Sequence, residues 1–216
     1  MLSSSAPGPA FDAVVLAASF GGLEALTAVL GALPGDFPVP VAVVQHRAPG
    51  GDLLPGLLRS RTALPVHVPA HGADPAAAAR SLDLTRPGVH VLPPRAAGAP
   101  GTAPGTAPVP HQADDVLSAV AARHGARTCA VVLTGRLDDG ACGVRAVKRA
   151  GGWVLVQSPA EARAAGMPTA AIATGCADLV LPLRALGPAV LALSLAPGAT
   201  DFFARPVQPW ADLAGA

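Results

Sequence analysis

The chain has 216 residues, enough for one sizeable α/β domain with a buried core. Hydrophobic residues make up 51% but aromatics only 3%, and tyrosine is absent, so Ala, Val and Leu must fill that core; this suits short parallel strands covered by helices. A net charge of +1 without a basic block excludes a nucleic-acid footprint, and three widely spaced cysteines (Cys129, Cys142, Cys176) read as small core residues in a reducing compartment rather than a disulfide framework or metal site.

Residues 1–10 read as a flexible N-terminal tail, without the Lys or Arg a signal peptide would carry. The apolar run 13–33 is long enough to suggest a membrane span. It breaks at Ser19-Phe20-Gly21-Gly22 and is closed by Pro34-Gly35, so a strand followed by a helix explains it better, and no membrane insertion is expected. Apolar runs of strand length recur at 13–18, 40–45, 65–68, 88–92, 128–133, 152–157 and 178–181. Helix-length stretches stand among them, notably 21–32, 114–124, 141–150 and 185–195. This alternation predicts a doubly wound, mainly parallel sheet of about seven strands with helices on both faces, its functional loops at the carboxyl ends of the strands. Residues 71–80 hold an Ala run after Pro75 that suits one or two helical turns. Residues 95–110, with a tandem A-P-G-T unit, read as a Pro/Gly-rich surface loop inside a domain spanning 11–197, and 198–216 reads as a C-terminal tail.

Three polar positions follow directly on apolar strands. Ser19 stands in V-V-L-A-A-S-F-G-G between the first strand and its helix. Taken alone, it reads first as a helix N-cap and second as a nucleophile beside glycines that admit close backbone approach. The motif only half matches the lipase-type elbow G-x-S-x-G, and it lacks dinucleotide-binding spacing. His46 ends the second strand in V-A-V-V-Q-H-R-A-P-G; a lone histidine there is first a structural or surface residue. Adjacent parallel strands lie about 5 Å apart, however, so His46 comes within reach of Ser19 as a general base. Asp138 and Asp139 follow the fifth strand in V-V-L-T-G-R-L-D-D-G-A, an ordinary turn by composition but also a place for a carboxylate to orient the imidazole. The other histidines (His67, His71, His90, His111, His124) have no metal-ligand spacing with the cysteines, so no zinc site is expected.

These motifs resemble a known family, the CheB-type chemotaxis protein-glutamate methylesterases. The family pattern G-A-S-T-G-G is matched by Ala17-Ala18-Ser19-Phe20-Gly21-Gly22, and its Q-H before a Pro-Gly pair by Gln45-His46-Arg47-Ala48-Pro49-Gly50. Its L-T-G-M-G-x-D-G-A is matched by residues 133–141, its G-x-x-Y-I-A-P-x segment by 88–94, and its late block by Gln157 and then Gly166-Met167-Pro168 before an apolar helix. The resemblance spans residues 13–195. It implies a serine hydrolase that cleaves glutamyl methyl esters of chemoreceptors or a related signalling protein in the cytoplasm, with glutamine deamidation as a companion activity and without a cofactor. Ser19 is then the nucleophile, His46 the base and Asp139, rather than Asp138, the orienting acid. Phe20, Gly21 and Arg136 surround the oxyanion and substrate position.

The departures bear on activity. Phe20 replaces the family's Thr, Ala17 its first Gly, and Arg136 the Met of its L-T-G-M-G loop, while its R-P-S-x-D segment is degraded to His111-Gln112-Ala113-Asp114. No receiver domain precedes the matched part, so phosphorylation within this chain is not expected as a switch. Two other readings stay open. One is a non-catalytic binding or signalling module that kept the fold. The other is a methylesterase or amidase acting on something other than a chemoreceptor.

Overall fold

The computed structural model describes residues 8–47, 53–68, 74–81, 86–94, 111–196, 198–203, 208, 210 and 211. The Pro/Gly-rich segment 95–110, His71 and most of the expected tails therefore lie outside the described residues.

All seven apolar runs form strands: β1 (Ala13–Ala18), β2 (Val41–Gln45), β3 (Val66–His67), β4 (Val89–Val91), β5 (Thr128–Val132), β6 (Trp153–Gln157) and β7 (Leu179–Leu181). They build one sheet in the order β3-β4-β2-β1-β5-β6-β7, and every pairing is parallel. The helices are α1 (Gly22–Gly31), α2 (Leu54–Arg59), α3 (Pro75–Ser81), α4 (Gln112–His124), α5 (Ala141–Arg149), α6 (Gly166–Ala173), α7 (Leu183–Leu195) and α8 (Ala199–Phe203), with a 3-10 turn over Gly125–Arg127. The four long stretches expected to be helical are helical, and Pro75 opens the helix proposed for the Ala run.

Strand side chains alternate between two covered faces, which is why the strands read as continuous apolar runs. From β1, Val14, Leu16 and Ala18 join a core with Leu26, Leu30, Val190 and Leu193 of α1 and α7. Ala13, Val15 and Ala17 join the opposite core with Val116, Leu117, Val144 and Val147 of α4 and α5. β1 is thus central. Its register pairs Ala18 with Gln45 on one side and Ala17 with Val132 on the other, so the loops leaving β1, β2 and β5 emerge side by side. The chain fills the β2 side of β1 first, in the outward order β2, β4, β3, and then passes to the other side with β5, β6 and β7, and at such a switch an open α/β sheet leaves a crevice. Among the described residues no helix is long and apolar enough to cross a membrane.

One expectation needs correcting. Cys129 and Cys176 are buried core residues, but Cys142 is exposed. The face that α5 turns inward carries Gly143, Val144 and Val147, and Cys142 stands off that stripe. All three thiols are free. Burial, with a smaller contribution from the Asp178 carboxylate, pushes the Cys129 thiol far up, so it stays protonated and inert. Under native conditions a thiol reagent should therefore label Cys142 alone and reach Cys129 and Cys176 only after denaturation. Prompt native labelling of Cys129 would contradict the packing described here.

Candidate functional site

The site is built where the three loops emerge. The sheet ladder continues past the strand ends, because Ser19 N–H donates to the Thr134 carbonyl (3.0 Å) and His46 N–H to the Ala18 carbonyl (3.2 Å). Ser19 and His46 are therefore held next to each other by backbone hydrogen bonds. Ser19 is not the N-cap of α1: that position is Gly21, in the left-handed region at φ 79°, with no side-chain cap. The Ser19 backbone carbonyl instead accepts from Gly22 N–H (2.9 Å), which leaves the hydroxyl uncommitted to the helix.

The Ser19 Oγ lies 3.3 Å from His46 Nδ1, and His46 Nε2 lies 2.8 Å from Asp139 Oδ2. A ring proton on Nε2 would face Asp139 and leave the Nδ1 lone pair turned toward the serine. His46 is partly open to solvent, with its side chain 23% exposed, whereas that of Asp139 is only 3% exposed. Asp138 is exposed, so the two adjacent carboxylates occupy different environments.

Asp139 is fixed by a helix it does not belong to. Its Oδ2 accepts from Ala113 N–H (2.8 Å) and its Oδ1 from Asp114 N–H (3.1 Å), both in the first turn of α4. Donors without intrahelical partners and the positive end of the helix dipole thus hold the buried carboxylate. Asp114 returns the arrangement, since its Oδ1 accepts from Gly143 N–H (2.6 Å) in the first turn of α5. Its Oδ2 lies 2.9 Å from His111 Nδ1, which is also 3.9 Å from Asp139 Oδ1. His111, Asp114 and Asp139 offer ligand atoms within 4.8 Å of one another, the one such group of side chains among the described residues. Every carboxylate oxygen in it already accepts from an N–H or faces an imidazole, so hydrogen bonding accounts for the cluster. Burial, reinforced by the neighbouring Asp139 charge, raises the Asp114 carboxyl above its ordinary value despite the opposing Gly143 N–H.

The far wall comes from β5, β6 and the start of α6. Thr134 N–H donates to the buried Gln157 Oε1 (2.8 Å); the Thr134 hydroxyl donates to the Phe20 carbonyl (3.0 Å) and accepts from Ala164 N–H (2.9 Å). Gly135 is required by close approach: a Cβ there would stand 2.0 Å from Met167 Sδ and 3.0 Å from Ser19 Cβ. Its amide and carbonyl bond Ala164 and Met167. The Gly166-Met167-Pro168 turn thereby buttresses the serine loop.

A family model described as CheB methylesterase matches residues 14–190. The chain belongs to the CheB methylesterase family. A protein-glutamate methylesterase/protein-glutamine glutaminase of Anaeromyxobacter dehalogenans is 40% identical over 80% of this chain and 50% of its own length. A protein of the same description from Moorella thermoacetica is 36% identical over 86% of this chain and 45% of its own length. This chain spans about half the length of these curated relatives. The CheB methylesterase catalytic domain of Thermotoga maritima superposes with a TM-score of 0.68 at 28% identity, covering 87% of this chain and 99% of the other.

The CheB pattern also explains a strained residue. Leu137 has φ 61°, the only positive φ at a non-glycine among the described residues, and is 58% exposed. It stands where L-T-G-M-G-x-D-G-A has its second glycine, the residue type that takes a left-handed backbone without strain. Phe20 and Arg136 meet at the mouth, with the Arg136 guanidinium 4.2 Å from the Phe20 ring centre. In the sequence, His111 and Asp114 stand only in a degraded family segment with no role attached, and Arg163 lies in a turn without a motif of its own.

Two tests follow from this geometry. Because the folded chain favours protonated Asp114 more than the unfolded chain does, its contribution to stability is full at acid pH and is lost as pH rises through the raised value. The melting-temperature advantage of wild type over Asp114→Asn should accordingly shrink as pH rises above the ordinary carboxylate value of about 4, and a flat difference would refute this sign. Leu137→Gly should stabilise the chain by about 0.5–1 kcal/mol in denaturant titrations, the relief of left-handed strain exceeding the added unfolded-state entropy.

Proposed function

We propose that this chain is a serine carboxyl-ester hydrolase acting on glutamyl methyl esters of a protein, chemoreceptors or related signalling proteins, with glutamine deamidation as a companion activity of the same site. The observation that carries this reading is the continuous contact from Ser19 Oγ through the two His46 ring nitrogens to buried Asp139, at 3.3 Å and 2.8 Å. The relatives described as protein-glutamate methylesterase/protein-glutamine glutaminase support the ester and amide chemistry. The unpaired cysteines fit a cytoplasmic setting.

In this reaction Ser19 Oγ attacks the ester carbonyl while its proton passes to His46 Nδ1. Asp139 stabilises the imidazolium through Nε2–H and keeps the ring oriented. The tetrahedral oxyanion is held by backbone N–H groups at Phe20, Gly21 and Arg136, near the amino end of α1. Collapse breaks the carbon–oxygen bond to the methoxy group, which takes the proton from His46 and leaves as methanol. Water, deprotonated by His46, then hydrolyses the acyl-serine to a free carboxylate and restores Ser19. The 3.3 Å serine–histidine separation is long for a hydrogen bond to a hydroxyl and is of the kind that tightens with substrate bound.

One feature favours a second reading, a binding module without turnover. Phe20, 42% exposed, and Arg136 stack at the entrance where the family has Thr and Met. An active-site serine probe separates the two, since only an activated Ser19 would be labelled under native conditions. Release of methanol from a glutamyl methyl ester peptide should fall by roughly three or more orders of magnitude in Ser19→Ala. Unchanged turnover in that variant would sink the assignment.

A further inference from the structure

Charge around the entrance to Ser19 is arranged in a way the reaction above does not use. Arg136 and Arg163 flank the same Phe20 ring, their guanidinium carbons 4.2 Å and 5.3 Å from its centre. The Arg163 stem lies over Gly21, where a Cβ would come within 2.9 Å of Arg163 Cβ. Arg163 also lines, with Arg61 and Gln45, a cleft of about 510 Å³ that runs past Gly21 and Gly22. All three arginines are exposed, and none forms an ion pair among the described residues. Glu24 is the one carboxylate on that lining. Other arginines show the contrast: Arg127 is bound to Asp12 at 2.7 Å, and Arg47 donates to the Leu92 carbonyl at 2.7 Å.

A guanidinium stacked on an aromatic face keeps its N–H edge free, so the ring orients the cation without neutralising it. Two such groups on one plate, and a third farther along the cleft, present donor forks that match carboxylates. We propose that Arg136, Arg163 and Arg61 form a cationic track beside Ser19 that selects methyl esters flanked by acidic side chains on the substrate protein, with Phe20 as the plate that holds the first two. This inference rests on the proposed ester hydrolysis and names the substrate feature the same site reads. Exposed pairs contribute little each and are screened by salt, so the track acts on encounter and ground-state binding, in KM rather than kcat.

The test uses two glutamyl methyl ester peptides of equal length, one flanked by Glu and one by Gln. Each is assayed for methanol release by the wild type and for binding to Ser19→Ala by fluorescence anisotropy. The Glu-flanked peptide should be preferred roughly tenfold in kcat/KM through KM, with the preference largely lost in about 0.5 M salt. Arg61→Gln with Arg163→Gln should bring the ratio between the peptides close to one, while Arg163→Lys should keep part of it. Equal kcat/KM for both peptides in the wild type, or a preference that survives the double substitution, overturns the track while leaving ester hydrolysis standing. Preferential binding of the Glu peptide to Ser19→Ala, without turnover by the wild type, upholds the track and overturns the proposed reaction. Neither binding nor turnover of either peptide overturns both.

Discussion

The anchoring of the Asp139 carboxylate in the first turn of α4 is the interaction on which the site depends. A buried carboxylate is costly unless its lone pairs are met, and here two backbone amides and an imidazole meet them. Asp114 does the same for α5 in return, so two helices that follow different strands cap one another through buried acids. The arrangement fixes the separation of α4 and α5 and aims Asp139 at His46. A substitution that moved α4 would therefore disturb the imidazole without touching it. Chemistry and helix packing share the same hydrogen bonds.

Much of this was legible in the chain itself. Seven apolar runs with helix-length spacers stated the parallel sheet, because strands buried on both faces have no polar alternation to hide them. The strand-end placement of Ser19 and His46 likewise translated directly into proximity, since β1 and β2 are neighbours in register. What spacing left open was which aspartate turns inward. Asp138 and Asp139 look alike in sequence, and their difference is set by α4 amides some 25 residues upstream. Spacing was equally silent on the exposed Cys142, the partnership of Asp114 with His111 and the approach of Arg163 to Phe20. The approach of Arg163 to Phe20 joins segments far apart in the chain, whereas His111 and Asp114 are only three residues apart and Cys142 is set by its place on the α5 face.

The residues around the serine that differ from the family pattern lie against one another. Phe20 and Arg136 occupy positions from two different loops, yet they touch, and Arg163 from a third loop joins them. Leu137 holds a left-handed backbone at the position where the family pattern has a glycine. Beneath them, Thr134, Gln157, Gly135 and Met167 brace the Ser19 loop from behind. An outer shell free to vary over an inner shell held by backbone hydrogen bonds is how one fold can change what it recognises while retaining its reactive centre.

The central position of β1 carries a kinetic consequence. Its partner β2 follows after one helix, but its other partner, β5, is synthesised more than a hundred residues later. A growing chain can thus pair β1 with β2 and bring Ser19 beside His46 long before residue 139 exists. Closing the β1–β5 loop is the costly, non-local step, and it also seats the acid. The Ser19–His46–Asp139 cluster is completed with the last central strand rather than by degrees, so the half-built sheet carries Ser19 and His46 in place but still lacks Asp139.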